Sequence, residues 1–196
     1  MRRRTSISEY ARPAVPVAPC RPVLQRTPAS RRDERVATHT GSTWYSPRQR
    51  RREVFRLLTD LHTFRVVGDD INGAFTGAEL TAGPELGPPP HIHRNNDESF
   101  YILEGTFEFS LAGQAFTAGA GAFVHLPRGV VHTHRASGGA PARALVIQSP
   151  AGVERFIEEA GASAADPTNW PAPPPLSELE RIVAIAHNHG IEVPPV

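Results

Sequence analysis

Short apolar runs separated by turn residues fill the central part of this 196-residue chain. Examples are AFTGAEL, SFYILEG, TFEFSLAG, AFVHLP and ARALVIQS, with Gly, Pro, Asp-Asp or Asn-Gly between runs. In TFEFSLAG the apolar side chains alternate with Glu108 and Ser110, which indicates a strand with one face in a core, and Ala112-Gly113 is typical of a tight hairpin turn. Many short strands joined by turns predict an all-β sandwich or barrel.

The composition divides the chain into three segments. Residues 1–53 carry 13 of the 21 Arg and 4 of the 20 acidic residues, which leaves 8 Arg and 16 acidic residues for the remainder. This first segment has few large apolar residues, so we expect a disordered Arg- and Pro-rich arm. Residues 54–150 are expected to form the β-domain. Residues 151–196 are expected to form a helical and proline-rich extension that packs on it.

Two short helices are predicted in the C-terminal segment. The stretch VERFIEEAG indicates a helix that ends at Gly161. The stretch SELERIVAIAHNHG indicates a second helix, with Ser177 and Glu180 as a capping box and Gly190 at its C-terminal end. Between them, DPTNWPAPPP is typical of an extended proline-rich strap.

Several classes of protein are disfavoured by composition. The basic arm lacks interleaved aromatic residues and any recognised nucleic-acid module, so no nucleic-acid partner is expected. No stretch approaches the 18 or more consecutive apolar residues of a spanning helix, so no membrane partner is expected either. A single cysteine, Cys20, excludes an internal disulfide and suggests a cytoplasmic location.

Two histidines one residue apart provide the strongest chemical signal. In GPPPHIHRNNDESFYILEG, residues i and i+2 of a strand point to the same face, so His91 and His93 present two imidazoles side by side. Glu98 follows five residues after His93, far enough for the chain to turn and return a carboxylate to the same centre. Three metal ligands from one hairpin are therefore plausible on spacing alone.

A further histidine cluster lies downstream in GAFVHLPRGVVHTHRA. Pro127 and Gly129 suggest a tight turn, and the next strand carries His132 and, on the same face, His134. Imidazoles with one carboxylate suit a divalent transition metal, and Fe, Mn, Ni, Co, Cu and Zn are not distinguished by this donor set. Spacing alone leaves His134 open as a further ligand or as a residue that lines a pocket.

These two segments resemble the paired motifs of the cupin superfamily. The matching positions are His91, His93, Glu98 and Gly105 in the first motif, and Gly121, Pro127, Gly129 and His132 in the second. Two positions depart from the motifs, since Glu85 replaces a glycine and Ala136 replaces an asparagine. The resemblance implies a single cupin β-barrel, also called a double-stranded β-helix or jelly roll, with short C-terminal helices. It also implies that His91, His93, Glu98 and His132 hold one metal ion per chain.

Within that superfamily the chain is most similar to bacterial quercetin 2,3-dioxygenase-like proteins. That resemblance implies cleavage of a flavonol or related enolic or polyphenolic small molecule by dioxygen, with Glu98 as catalytic base as well as ligand. If Glu98 faces inward, Phe100 shares its face, so Phe100 and His134 are candidate substrate-pocket residues. A homodimer is also expected from the resemblance.

Two other functions remain open from the sequence, because one fold and one ligand set support many chemistries. The first is a metal-dependent isomerase, epimerase or natural-product tailoring enzyme. The second is a non-catalytic cupin that binds a small molecule or a metal. Oxygen independence would distinguish the first, and binding without turnover would distinguish the second.

Overall fold

The computed structural model describes residues 54–164 and 174–194. The predicted arm, residues 1–53, and most of the predicted strap, residues 165–173, lie outside this range. The strands are β1 (Val54–Leu57), β2 (Asp60–Val66), β3 (Thr76–Ala82), β4 (Ile92–His93), β5 (Asp97–Glu104), β6 (Thr106–Leu111), β7 (Gln114–Gly119), β8 (Phe123–Leu126), β9 (His132–Ser137), β10 (Ala142–Ser149), β11 (Ala162–Ser163) and β12 (Ile191–Glu192). The helices are a 3-10 turn (Gly68–Asp70), α1 (Val153–Ala160) and α2 (Leu176–Asn188).

The strands form antiparallel sheets. One sheet has the order β11-β1-β2-β3-β10-β5-β8, a second has the order β7-β6-β9, and β12 pairs with β4. Strands far apart in sequence are neighbours in space, as between β3 and β10 and between β6 and β9. The predicted all-β fold, a cupin β-barrel or jelly roll with short helices, is confirmed.

An aromatic core fills the space between the two larger sheets. Phe100 on β5 is fully buried, and its ring centroid lies 6.2 Å from that of Phe107 and 5.2 Å from that of Phe109 on β6. The inward side chains of β10 alternate with outward ones along the strand, as the apolar pattern of ARALVIQS requires. Burial of these side chains is the main stabilising contribution in the barrel.

The predicted hairpin turn at Ala112-Gly113 is confirmed. The turn connects β6 to β7, and both residues have positive φ, 51° for Ala112 and 79° for Gly113. Positive φ at both central residues matches the twist of the strands that the turn connects. The register of the hairpin then places Phe107 and Phe109 on the buried face.

The two C-terminal helices pack on each other and on the first strands. Val153, Phe156 and Ile157 of α1 contact a buried cluster that includes Ile182 of α2. The helix that ends at Gly161 is confirmed, because α1 stops at Ala160. Among the described residues, no helix combines the length and the apolar character needed to cross a membrane.

The predicted capping box at the start of the second helix is wrong. Helix α2 begins at Leu176, two residues earlier than the predicted capping box requires, with Pro175 at the N-cap position and no side-chain cap hydrogen bond. Ser177 therefore lies inside the first turn, where its hydroxyl cannot take the N-cap role. Proline fits at this entrance because its extended conformation (φ −64°, ψ 159°) directs the chain into the helix.

Candidate metal centre

Backbone pairing brings the two histidine segments together. The amide of His91 donates to the carbonyl of His132 at 2.9 Å, and the amide of His132 donates back at 2.9 Å. This antiparallel bridge joins the start of the first motif to the start of β9. The imidazoles, which are 41 positions apart in the chain, therefore lie beside each other with ring centroids separated by 4.5 Å.

Four predicted ligands converge on one point. One side-chain nitrogen or oxygen each from His91, His93, Glu98 and His132 lies within 4.8 Å of the others. The Oε2 atom of Glu98 lies 3.3 Å from Nε2 of His132 and 3.8 Å from Nε2 of His93. Glu98, His93 and His132 are buried, and His91 is partly exposed. This cluster could bind a single metal ion.

The hydrogen bonds around the cluster fit a cation. The Nδ1 atom of His132 lies 2.9 Å from the carbonyl of Val130, and the Nδ1 atom of His91 lies 3.0 Å from the carbonyl of Pro89. A carbonyl only accepts, so both Nδ1 atoms carry the proton and both Nε2 atoms present lone pairs. This is the usual outer hydrogen bond of a metal-binding histidine.

Within the described residues, two buried acceptor atoms of the cluster have no hydrogen-bond donor. Neither Nε2 of His132 nor Oε2 of Glu98 has a hydrogen-bond partner within residues 54–164 and 174–194. Because both present lone pairs to the same space, their approach to 3.3 Å is unfavourable without a positive charge between or beside them. The donor set and its orientation therefore fit a metal ion.

The electrostatics of the cluster keep its donors in the ligand state. Burial lowers the pKa of His93, so its imidazole stays neutral at pH 7. Burial would by itself raise the pKa of Glu98, but positive charge at the adjacent His132 and His93 rings holds that pKa below its usual range. With those imidazoles neutral, a bound cation would supply the charge that keeps the carboxylate ionised. Neutral imidazole and ionised carboxylate are the protonation states that bind a transition metal.

Gln148 positions the carboxylate of Glu98. Its Nε2 atom donates to Oε1 of Glu98 at 2.7 Å, and the two residues are directly opposite in the register of β10 and β5. Sequence reasoning did not identify Gln148. The alternation along ARALVIQS was an available signal, because it places a polar glutamine on the face that otherwise carries Ala142, Ala144 and Val146.

A mostly apolar cavity lies beside the cluster. Its volume is about 100 Å³, and its walls include His91, His93 and Glu98. The opposite walls come from the C-terminal helices and β12. The apolar side chains that line this part include Phe156, Ile157, Leu179, Ile182, Val183 and Ile191. The additional polar side chains are Asp60, His62, His134 and Gln148.

The two predicted pocket residues have different positions. His134 is buried, lines the cavity and lies with Nε2 3.1 Å from Oδ2 of Asp60. Phe100 is fully buried in the aromatic core and is not among the residues that line the cavity. Although Phe100 shares a face with Glu98, it lies two residues further along β5, where the barrel interior is filled by side chains. The structure therefore places Phe100 in the barrel core rather than in the lining of this cavity.

The two departures from the cupin motifs contact each other. The amide of Glu85 donates to the carbonyl of Ala136 at 3.1 Å. Glu85 has φ of 56°, a left-handed conformation that favours glycine, and its Oε1 atom accepts a 2.9 Å hydrogen bond from the amide of Gly139. Neither residue belongs to the ligand cluster. The departures therefore change a turn outside the candidate centre.

Comparison with known proteins identifies the domain. A family model described as Cupin domain matches residues 79–148. No curated protein matches the chain. Among similar solved structures is KdgF from Halomonas sp., which is 16% identical over 52% of this chain and 91% of that chain, with a TM-score of 0.45.

Two further solved structures illustrate the range of similar proteins. The polyketide cyclase RemF from Streptomyces resistomycificus is 27% identical over 46% of this chain and 65% of that chain, with a TM-score of 0.42. A predicted oxalate decarboxylase from Thermotoga maritima is 21% identical over 46% of this chain and 80% of that chain, with a TM-score of 0.44.

Proposed function

Because the chain belongs to the cupin superfamily through the domain at residues 79–148, we propose that it is a metal-dependent dioxygenase. The proposed substrate is a flavonol or a related enolic or polyphenolic small molecule, which is cleaved with dioxygen. The observation that supports this proposal is the convergence of three imidazoles and one carboxylate beside a mostly apolar cavity.

The proposed ligands are His91, His93, Glu98 and His132, and each chain would hold one divalent transition metal. A bound ion would supply Lewis acidity and open coordination positions for substrate and dioxygen. The donor set is compatible with Fe, Mn, Co, Ni, Cu and Zn, so the choice of metal is left to experiment.

The lining of the cavity favours an aromatic substrate over a sugar. Each hydroxyl group of a buried sugar needs a hydrogen-bond partner, because an unpaired buried polar group carries a desolvation penalty. Most of the residues that line this cavity are apolar. A planar ring system with a few hydroxyl groups matches this surface better, which supports the dioxygenase over a sugar isomerase or epimerase.

Glu98 is proposed to be the catalytic base. Its Oε1 atom accepts the hydrogen bond of Gln148, whereas Oε2 has no partner among the described residues. Oε2 is therefore the atom proposed to bind the metal, and its remaining lone pair is proposed to accept the proton of an enol or phenol hydroxyl group. The pKa of Glu98 lies below its usual range, so the side chain is ionised at pH 7 and Oε2 carries no proton of its own.

The C-terminal helices are proposed to exclude water from the reaction. Ile157 of α1 and Leu179, Ile182 and Val183 of α2 form apolar walls of the cavity. A dry cavity strengthens the electrostatic interactions inside it and limits side reactions of a reactive substrate anion. On this view α1 and α2 are a functional part of the cavity, in addition to packing on the barrel. We further propose that the protein is cytoplasmic and forms a homodimer. Light scattering would check the dimer through the molar mass in solution.

The test is oxygen uptake by the full-length protein, reconstituted separately with Fe, Mn, Co and Ni. The substrates are 3-hydroxyflavone and a panel of hydroxylated flavonols. We expect uptake with at least one metal and none with metal-free protein. Uptake must be accompanied by loss of the flavonol absorption band.

The matched control is His93→Ala, which removes one buried ligand. We expect a sharp loss of bound metal and of oxygen uptake, with circular dichroism unchanged from the wild type. Wild-type metal occupancy in this variant would refute the assigned centre. Metal-loaded wild-type protein that consumes no oxygen with any flavonol would refute the dioxygenase.

A further inference from the structure

A second buried polar pair lies in the same cavity, apart from the four candidate ligands. Asp60 is the first residue of β2 and is 4% exposed, and His134 lies on β9 and is 6% exposed. Nε2 of His134 is 3.1 Å from Oδ2 of Asp60. Both residues line the cavity. The two side chains come from different sheets, so only the closed barrel brings them together.

Each residue of this Asp60–His134 pair retains an unused polar atom. Oδ1 of Asp60 and Nδ1 of His134 have no hydrogen-bond partner in the part of the chain that the structure describes. Oδ1 of Asp60 can only accept, whereas Nδ1 of His134 accepts or donates according to the protonation of the ring. A hydroxyl group both donates and accepts, so it can pair with either atom.

The surroundings of the pair are mostly aromatic, apart from His62, which lines the same cavity. The ring of His134 lies among aromatic side chains, with centroid distances of 5.0 Å to Phe100 and 6.1 Å to Phe107. An apolar environment makes unsatisfied acceptors unfavourable, and native proteins usually satisfy buried polar groups. A donor supplied by a ligand in the cavity would remove this deficit.

We infer that Asp60 and His134 form a hydrogen-bonding subsite for a hydroxyl group of an aromatic ligand. This inference deepens the proposed function and rests on its use of the same cavity. The ligand would place one oxygen at the His91, His93, Glu98 and His132 cluster and a separate hydroxyl group at the pair. Because Oδ1 of Asp60 only accepts, the subsite selects a group that donates a hydrogen and favours phenols over their deoxy or methylated analogues.

The experiment compares phenol with toluene, which have the same shape but differ in the hydroxyl group. The cavity of about 100 Å³ is on the scale of the ~150 Å³ engineered cavity that binds benzene. Full-length protein is loaded with Zn²⁺, which has no redox chemistry, and titrated with each ligand by NMR. We expect phenol to bind at least tenfold more tightly than toluene.

The single variant His134→Phe removes the imidazole of the pair. The double variant Asp60→Leu/His134→Phe removes both polar side chains. The double variant replaces both members by apolar groups, so it leaves neither partner unpaired and keeps the test valid if the single variant fails to fold. We expect the preference for phenol to fall at least tenfold while toluene affinity stays within about threefold. The control is His125→Gln, which changes an exposed histidine that bonds to Ser99 on the outer surface.

Three results would overturn the subsite. The first is absence of phenol binding to the wild type, and the second is an unchanged preference for phenol over toluene in the double variant. The third is a preference for phenol that is lost when zinc is removed but kept when Asp60 and His134 are replaced. The last result would place the hydroxyl group at the metal centre. Failure of the proposed dioxygenase activity would give a different result. Oxygen uptake would be absent, but the wild type would still prefer phenol and the double variant would still lose that preference.

Discussion

Gln148 and Glu98 form a buried pair across β10 and β5, with Nε2 of Gln148 2.7 Å from Oε1 of Glu98. Their exposures are 6% and 5%. With Oε1 engaged in this way, Oε2 is the oxygen that faces His93 and His132. The direction of the carboxylate is therefore set by a residue 50 positions away in the sequence.

The first prediction concerns Gln148→Leu, which removes the donor to Glu98 and keeps a similar volume. We expect metal affinity to fall by about 10–100-fold, because outer hydrogen bonds orient metal-binding side chains. Zinc titration against a competing chelator measures the change. Gln114→Leu, on the exposed side of β7, is the control. Equal zinc affinity in the Gln148 variant and the wild type would show that the carboxylate needs no such support.

The second prediction concerns Glu98→Gln in protein saturated with metal. The amide is similar in shape but cannot accept the proton, so we expect turnover to fall by at least about 100-fold. Substrate affinity should change much less. Steady-state oxygen uptake and separate binding titrations measure the two effects. Glu104→Gln, at the exposed end of the same strand, should retain turnover, and retained turnover in Glu98→Gln would remove Glu98 from the base role.

The third prediction concerns Gly87→Ala, at a close approach of two backbone segments. A Cβ atom on Gly87 would lie 1.9 Å from the carbonyl oxygen of His134, so β9 must shift. We expect a loss of about 1–3 kcal/mol in the free energy of unfolding, as for other overpacked sites. Gly119→Ala is the control, because its Cβ would meet no atom closer than 3.9 Å. Urea denaturation of both variants compares them, and equal stability would contradict the steric argument.

The fourth prediction concerns Glu154, which connects α1 to the barrel. Its carboxylate accepts hydrogen bonds from the Thr76 hydroxyl and from the amides of Gly68 (3.0 Å) and Gly152 (2.7 Å). Burial would raise the pKa of Glu154, but these donors outweigh it and the pKa lies below its usual value of 4.5. Ionised Glu154 thus stabilises the fold above pH 4.5, and this contribution is lost as the pH falls through the folded pKa.

Glu154→Gln should therefore lower Tm at pH 7, and the difference from the wild type should shrink as the pH falls below 4.5. Thermal unfolding followed by circular dichroism from pH 7 to pH 3 tests both statements. Glu180→Gln, on the exposed side of α2, provides the matched control. A difference that stays constant with pH would show that the charge of Glu154 has no stabilising role.

Local patterns were sufficient where one strand or one turn decides the outcome. The period of two in TFEFSLAG predicted the buried face of β6, and the small residues Ala112 and Gly113 predicted the hairpin, because both depend only on neighbours in the chain. The histidine spacing likewise predicted two adjacent imidazoles, and the ring centroids of His91 and His93 lie 5.0 Å apart.

Local patterns were insufficient where the outcome depends on the third dimension. Ser177 and Glu180 have the spacing of a capping box, yet Pro175 takes the N-cap position because α2 starts two residues earlier than that box requires. Phe100 shares a face with Glu98, yet only the closed barrel determines that Phe100 belongs to the core and Glu98 to the cavity.

The sequence by itself determined the all-β fold and the hairpin, because periodicity is a property of the chain, and the resemblance of its motifs to the cupin superfamily implied the four residues that could bind a metal. The tertiary structure decided which residues surround those four. Gln148, Asp60 and the α2 side chains reach the cavity through sheet register and helix packing. Such contacts join residues distant in sequence, and their energies depend on the closed barrel rather than on any local segment.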